Sequence, residues 1–318
     1  MHAIRHHEFG PADVLRLETL PDPEPAPGQL RIAVEAAGVH LLDTSIRAGE
    51  AFGAGPAPEL PLVPGREAAG VVDRIGPDVD AEWLGRRVVA HLGFGGGGYA
   101  EQAVVDAGRA HPIPDGMDAG TAVAAIGTGR TATAILELAE LVPEDVVVVT
   151  SAAGGLGPLL LQGAANVGAR TVGLAGGPDK TALASRFGAT LVIDHRSPDW
   201  QLHLRDAGIP TVVLDGVAGP IGRALYRGLA PGGRLVRFGW SSGVQNDYAD
   251  PQRRVIDVLG PPILDRIDEF ERAALTAAAD GTRVPHVGTV LTLAEAAEAH
   301  RALETRTAVG KVVLVVPR

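Results

Sequence analysis

Val146-Val147-Val148-Val149-Thr150-Ser151-Ala152-Ala153-Gly154-Gly155-Leu156-Gly157 is the stretch on which the fold turns. The β-branched run at its start suits a strand buried on both faces of a parallel sheet. The glycine turn follows at once, and an apolar stretch with helical spacing then runs to about Val167. Strand, glycine turn and helix in that order form the fingerprint of a dinucleotide-binding βα unit. Gly154 lets the backbone approach a pyrophosphate, Gly157 lets helix and strand pack closely, and the helix N-terminus offers N–H groups to the anion. The first glycine of G-x-G-x-x-G is replaced here by Ala152.

Downstream the same alternation continues. Strands are predicted at Arg170–Leu174, Leu191–Ile193, Thr211–Leu214 and Arg234–Phe238, with helices at Lys180–Phe187 and Ile221–Leu229. This pattern defines a doubly wound α/β domain. Upstream the texture differs. Short strands at Leu30–Val34, Ala68–Ile75 and Arg87–His91 are separated by turn clusters such as Pro21–Pro25 and Gly93–Gly98, the pattern of a β-rich, barrel-like domain. An Ala-rich helix is predicted from Gly120 to Glu140, stopped by Pro143. Near Pro261 the chain returns to mixed structure, with a helix over Leu293–Glu304 and a strand over Lys311–Val316. The expected division is residues 1–120 with 262–318 as one discontinuous domain, and 121–261 inserted as the dinucleotide-binding domain.

The composition narrows the function. Of 318 residues, 46% are apolar and 21% charged, which places the chain among packed globular proteins. A net charge of −10 argues against nucleic acid or an anionic membrane surface as partner. The absence of Cys removes disulfides, thiol nucleophiles and thiolate metal sites together. The N-terminus lacks an apolar stretch of signal-peptide length, and the small-apolar region Ala119–Val142 is interrupted by Arg130, Glu137 and Glu140, so the expected location is the cytoplasm.

In NAD enzymes an acidic residue about 20 positions beyond the glycine turn holds the ribose 2′-OH. Here that window reads Leu174-Ala175-Gly176-Gly177, with Lys180 just beyond. The missing acid and the nearby ammonium favour NADPH, although Lys180 equally suits the solvated start of a helix.

Eight ordered motifs carry a resemblance. They are Gly38-Val39-His40-Leu41-Leu42-Asp43, Pro64-Gly65-Arg66-Glu67-Ala68-Ala69-Gly70-Val71-Val72, Gly98-Tyr99-Ala100-Glu101 and Gly129-Arg130-Thr131-Ala132, then the glycine turn, Leu229–Val236, Phe238-Gly239-Trp240-Ser241-Ser242-Gly243 and Gly310-Lys311-Val312-Val313-Leu314. Over its whole length the chain resembles the zinc-independent quinone oxidoreductase branch of the medium-chain dehydrogenase/reductase superfamily. The resemblance implies an α/β protein in which a GroES-like β-rich catalytic domain is joined to a doubly wound Rossmann domain. It implies cofactor contacts from Ala153, Gly154, Gly155, Leu156 and Gly157, from Lys180 and His195 around the adenosine 2′-phosphate, and from Thr131, Gly239, Ser241 and Ser242 toward the nicotinamide. The family usually has Tyr at the position of His195. A homodimer formed through edge strands of the Rossmann sheets is also implied, with Arg234–Ser241 as the expected last strand.

In the zinc-dependent cousins of this branch, a Cys stands at the position of His40 and a His at the position of Arg66. A guanidinium cannot ligate zinc, so no metal site is expected. Without a Lewis acid, reduction of an activated double bond is the easier chemistry. The expected activity is hydride transfer from NADPH to a quinone or an α,β-unsaturated carbonyl. An enoyl-thioester reductase, with Arg253-Arg254 as a candidate basic groove, and a catalytically silent NADPH-binding protein are the alternatives. His40 stands where the family has Asn; it either donates to the developing enolate or fills space. Asp43 either orients His40 or a cofactor hydroxyl, or caps a helix near Thr44. Ser45 replaces a family aromatic, so the substrate pocket is expected to be altered.

Overall fold

The structure is a computed structural model that describes residues 1–50, 58–93 and 95–317. The chain forms two compact units, Met1–Thr128 with His286–Arg318, and Gly129–Pro285. These boundaries lie 8 and 24 residues beyond the sequence-based ones at 120/121 and 261/262. In particular, the helix Ile267–Ala279 packs on the helix Arg130–Ala139 inside the second unit, where Arg130 Nη1 donates to Glu271 Oε1 at 2.6 Å.

The second unit is built on six parallel strands, β1 (Val146–Val149), β2 (Arg170–Ala175), β3 (Leu191–Asp194), β4 (Val212–Asp215), β5 (Arg234–Arg237) and β6 (Arg254–Asp257). Their order across the sheet is 3-2-1-4-5-6, so the strand order reverses between β1 and β4. That reversal opens a crevice at the carboxyl ends of the strands, where doubly wound sheets bind their ligands. The buried apolar runs predicted from sequence form its core, with Val148, Val172, Leu174, Val213 and Leu235 sealed from solvent. One expectation is corrected. Arg234–Ser241 is not the last strand: β5 ends at Arg237, and β6 lies outside it in parallel register. The short Val255-Ile256 run between charged residues gives too weak a period to be read as a strand.

In the first unit, a long strand Gln29–Val39 lies at the centre of a seven-stranded sheet. On one side it pairs antiparallel with Glu67–Ile75, and on the other with Gln102–Asp106 over residues 29–33 and with Lys311–Val315 over residues 36–39. Leu30, Ile32, Val34, Val72, Val88 and Leu314 form the core beneath it. The cluster Gly93–Gly98 closes back on Val63 through Gly97 N–H at 2.8 Å; Phe94 within it lies outside the described residues.

The single helix expected over Gly120–Glu140 is interrupted. An α-helix covers Ala119–Ala124, a π-helical turn Ala125–Gly129, and a second α-helix Arg130–Ala139. It ends before Pro143, at Glu140, whose φ of 48° is left-handed. Among the described residues no helix is long and apolar enough to cross a membrane.

Candidate active site

Sheet register assembles the first cluster. Val312 faces Val39 and Ala68 faces Ala37. Extending each ladder by one residue places Lys311 opposite His40 and Glu67 opposite Gly38, so three neighbouring strands deliver an imidazole, a carboxylate and an ammonium to one sheet end. His40 Nε2 lies 2.7 Å from Glu67 Oε2 and 2.7 Å from Lys311 Nζ, and Nζ lies 3.8 Å from Oε2. Glu67 and Lys311 are buried, while the His40 side chain keeps 18% of its surface exposed. At the start of the helix Leu41–Ala48 the His40 side chain also faces the Asp43 backbone N–H, in a capping box with the Asp43 side chain on His40 N–H. Burial holds the imidazole below the ordinary histidine pKa, helped by the cations of Lys311 and Arg66 and opposed by Glu67.

Two glycines make the room. A Cβ at Gly38 would collide with Glu67 Oε2 and approach Lys311 Cε to 3.3 Å, and a Cβ at Gly127 would fall on the Glu67 carboxylate. Gly127 lies in the π-helical turn, so the interruption of the expected helix is where backbone meets Glu67. Single π turns inside α-helices are frequent at functional sites.

Asp43 sits one turn along the helix Leu41–Ala48, and its bonds are structural. Oδ2 accepts from His40 N–H at 2.8 Å and from the Tyr99 hydroxyl at 3.1 Å, and Oδ1 accepts from Arg66 Nε at 3.1 Å. Asp43 therefore fixes the helix start and the His40 backbone through its side chain, and its own backbone N–H faces the His40 side chain in a capping box. Burial would raise its pKa, but Arg66, His40 and His300 outweigh that and hold the carboxyl below its usual value. Behind it, Tyr99 and His300 are fully buried, with Tyr99 Oη 3.3 Å from His300 Nε2. Because the single Tyr99 hydrogen goes to Asp43, a neutral His300 donates from Nε2 and leaves Nδ1 as a lone pair, which has no partner. Burial lowers the His300 pKa to about 4.

The predicted cofactor residues lie in the second unit. The turn from Thr150 to Leu156 joins β1 to the helix Gly157–Asn166 at the crevice. A Cβ at Gly157 would lie 2.6 Å from Ala152 Cα, so glycine is what permits helix and strand to meet there. At Gly154 it would meet only Ser151, at 3.1 Å from Oγ, which leaves the outer side of that turn open. Ala153 and Gly155 complete the turn. Phe238 N–H bonds Asp215 O at 2.9 Å, Ser241 N–H bonds Gly216 O at 3.1 Å and Ser242 N–H bonds Val217 O at 3.0 Å, so Gly239, Ser241 and Ser242 stand beside the carboxyl end of β4. Thr131 occupies the first turn of Arg130–Ala139.

Lys180 begins the helix Pro178–Arg186 after β2, and His195 follows β3. His195 and Arg196 converge on the Gly176-Gly177 turn: a Cβ at Gly176 would lie 3.0 Å from His195 Nε2, and one at Gly177 2.7 Å from Arg196 Nη1. Asp194 fastens this corner, accepting from Gly177 N–H at 3.1 Å and Arg196 N–H at 2.9 Å. Arg196, which the sequence reading did not single out, stands at this turn beside His195. The other basic pair, Arg253-Arg254, is largely used internally. Arg253 pairs with Asp250 and donates from Nε to Leu229 O at 3.1 Å, and Arg254 Nη1 lies 3.4 Å from Glu140 Oε2.

Two family models match the chain, an alcohol dehydrogenase GroES-like domain over residues 26–115 and a zinc-binding dehydrogenase domain over residues 187–314. A 2-haloacrylate reductase of a Burkholderia species is 31% identical over 340 residues, covering 99% of this chain and 98% of that one. A quinone oxidoreductase of Pseudomonas aeruginosa is 31% identical over 327 residues, covering 98% of each. The solved structure of Escherichia coli quinone oxidoreductase complexed with NADPH superposes with a TM-score of 0.85 at 26% identity, covering 99% of this chain and 100% of that one. With a GroES-like unit and a Rossmann unit in one chain, the molecule is an oxidoreductase of the dehydrogenase/reductase type. The chain belongs to the quinone oxidoreductase-like family of the medium-chain dehydrogenase/reductase superfamily.

The zinc in the second family description does not fit the side chains present. Where the zinc-dependent branch supplies a His, Arg66 presents a cation already donating to Asp43, and among the described residues no three His, Cys, Asp or Glu side chains are grouped to hold a metal.

Proposed function

We propose that this protein is a zinc-independent, NADPH-dependent reductase of quinones or α,β-unsaturated carbonyls. The observation that carries the reading is His40: a partly exposed imidazole, backed by Glu67 and Lys311, at the position where the zinc-dependent branch has a metal ligand. Bound NADPH supplies the hydride, which adds to the substrate β-carbon. In this reading the partly exposed His40 imidazole is the group that donates to the oxygen on which charge develops; one such hydrogen bond is worth about 2.7–4 kcal/mol in rate terms. Asp43 holds the His40 backbone and Arg66 in place and does not itself react.

In this reading Ala153, Gly154, Gly155, Leu156 and Gly157 carry the pyrophosphate. Lys180, His195 and Arg196 bind the 2′-phosphate, and Thr131, Gly239, Ser241 and Ser242 border the nicotinamide. The relative solved with NADPH supports that cofactor, as does the end of β2, which reads Ala175-Gly176-Gly177 and offers no carboxylate to a ribose 2′-OH. The protein works as a cytoplasmic homodimer joined through an edge of the second unit's sheet, where β6 has one side unpaired. Following NADPH oxidation with 1,4-benzoquinone and simple enones in the presence of a chelator tests the proposal. Turnover is expected. Intact NADPH binding with no turnover on either class would refute it.

A further inference from the structure

Buried carboxylates in this chain face cations, with one exception. Among the described residues Asp43 faces Arg66 at 3.1 Å, Glu67 faces Lys311 at 3.8 Å, Asp145 faces Arg234 at 2.7 Å and Glu271 faces Arg130 at 2.6 Å. Asp215 is fully buried at the end of β4, and no described Lys, Arg or His forms an ion pair with it. Arg237, its register partner on β5, pairs with Asp257 at 2.6 Å instead. What holds Asp215 is hydrogen bonding. Oδ1 accepts from Thr150 Oγ1 at 3.1 Å and from the N–H groups of Val217 and Ala218 at 2.9 and 3.0 Å. Oδ2 and the Tyr248 hydroxyl both border the place a Gly222 Cβ would take. Burial raises that hydroxyl above its ordinary pKa, against the hydrogen bond from Asn246, and the Asp215 charge adds to the rise.

Two helices start beside the crevice. The turn before Gly157–Asn166 contains no acidic residue, whereas the Val217 and Ala218 N–H groups ahead of Gly219–Gly228 already hold the Asp215 carboxylate. One helix start is thus open to a pyrophosphate, and the other carries a negative charge of its own. Burying a carboxylate without a cation is costly, and departures of this kind belong to functional sites. We propose that Asp215 is the counter-charge of the oxidised nicotinamide, favouring the cationic ring of NADP⁺ over the neutral ring of NADPH and so easing the release of hydride. The inference rests on the reading of this crevice as an NADPH site. When a hydrogen leaves the ring with its electron pair, the ring goes from neutral to +1 and the substrate takes −1. The phosphate charges are the same in both forms, so the ring is what a fixed negative charge discriminates. Asp215 adjoins the segment expected to border that ring: Phe238 N–H bonds Asp215 O, Ser241 N–H bonds Gly216 O and Ser242 N–H bonds Val217 O. Thr150 ties this end of β4 to the end of β1, since its Oγ1 also accepts from Gly216 N–H at 2.9 Å.

Calorimetric titration of the protein with NADP⁺ and with NADPH tests the assignment, read as the ratio of the two dissociation constants. Asp215→Asn keeps an acceptor for the Val217 and Ala218 N–H groups and removes the charge. It should raise Kd for NADP⁺ relative to Kd for NADPH about tenfold, the order for one unit charge at an effective dielectric near 20. Thr150→Val is the matched control, because it breaks the bonds to Asp215 and Gly216 and leaves the charge in place. Any loss of affinity there should be shared by both forms, with their ratio within about twofold of the wild type. An unchanged ratio in Asp215→Asn, or the same shift in Thr150→Val, would make Asp215 a structural residue of the turn and overturn the proposal. Should Asp215→Asn not fold, Asp215→Ser removes the charge with a smaller acceptor and carries the same expectation. A wild type that binds neither form defeats this inference and the cofactor reading together. A wild type that binds both but reduces no electrophile defeats the reductase reading alone, and the ratio still decides for or against Asp215.

Discussion

Replacing Gly157 by Ala separates packing from binding in the glycine turn. The new Cβ would lie 2.6 Å from Ala152 Cα and closer still to that residue's carbonyl, both main-chain atoms that a rotamer change cannot move. The helix Gly157–Asn166 must therefore shift away from β1, or the turn must deform. Overpacking of this kind costs about 1–3 kcal/mol, of which up to roughly 0.5–1 is returned by alanine's better helix propensity. The net expectation is a loss of about 1–2 kcal/mol in urea unfolding of the cofactor-free protein. Gly154→Ala is the matched control. Its Cβ would meet a movable Ser151 hydroxyl at 3.1 Å and its φ is not left-handed, so stability should change by less than about 0.5 kcal/mol. That methyl would stand on the open side of the turn, where the pyrophosphate is expected, and NADPH binding followed by fluorescence should weaken about tenfold or more, roughly 1.4 kcal/mol. Wild-type stability in Gly157→Ala, or unchanged NADPH affinity in Gly154→Ala, would refute the division of roles between these glycines.

His300 should make stability fall in acid. Its folded pKa of about 4 lies below the unfolded value of 6.5, so the unfolded chain binds more protons between those limits. The contribution is fully present above pH 6.5 and is lost as pH falls toward 4, by about 3 kcal/mol at 1.36 kcal/mol per pH unit. Urea midpoints across that window should flatten in His300→Gln, and an equal slope in both proteins would contradict the assignment. Asp43→Asn removes the carboxylate facing buried Arg66 and should cost about 3 kcal/mol in the same assay, the scale for breaking a buried ion pair; a loss under about 1 would contradict the pairing. Lys180→Ala and Arg196→Ala should each reduce the preference for NADPH over NADH about tenfold, roughly 1.4 kcal/mol. An unchanged ratio of the two dissociation constants would remove that residue from the 2′-phosphate site.

The second unit was legible because its signals are local. Val146–Val149 and the glycines after it lie within a dozen residues, and an apolar run followed by a glycine turn states its geometry without help from distant chain. The edge strand β6 was not legible, since two β-branched residues between charges define no period. The first unit's cluster was half legible. His40 and Arg66 stood out as departures from a motif and Asp43 as a match to one, but their partners did not. Lys311 reaches His40 only through an antiparallel ladder whose register a sequence does not display, and Glu67 was one letter of a family motif until the fold placed it against the imidazole. The choice left open for Asp43 falls to the helix-start reading for its hydrogen bonds, because its oxygens bond His40 N–H, Arg66 and Tyr99. The π turn at Gly127 answers to the volume of Glu67, a three-dimensional fact with no local trace.

The central claim is that hydride goes to the β-carbon of a conjugated double bond rather than to the carbonyl carbon. Reduction of a simple enone with NADPH deuterated at the transferring C4 position, in the presence of a chelator and with the product read by NMR, tests it most directly. Deuterium on the β-carbon of a saturated ketone is the predicted result. Deuterium on the carbinol carbon of an allylic alcohol would contradict it.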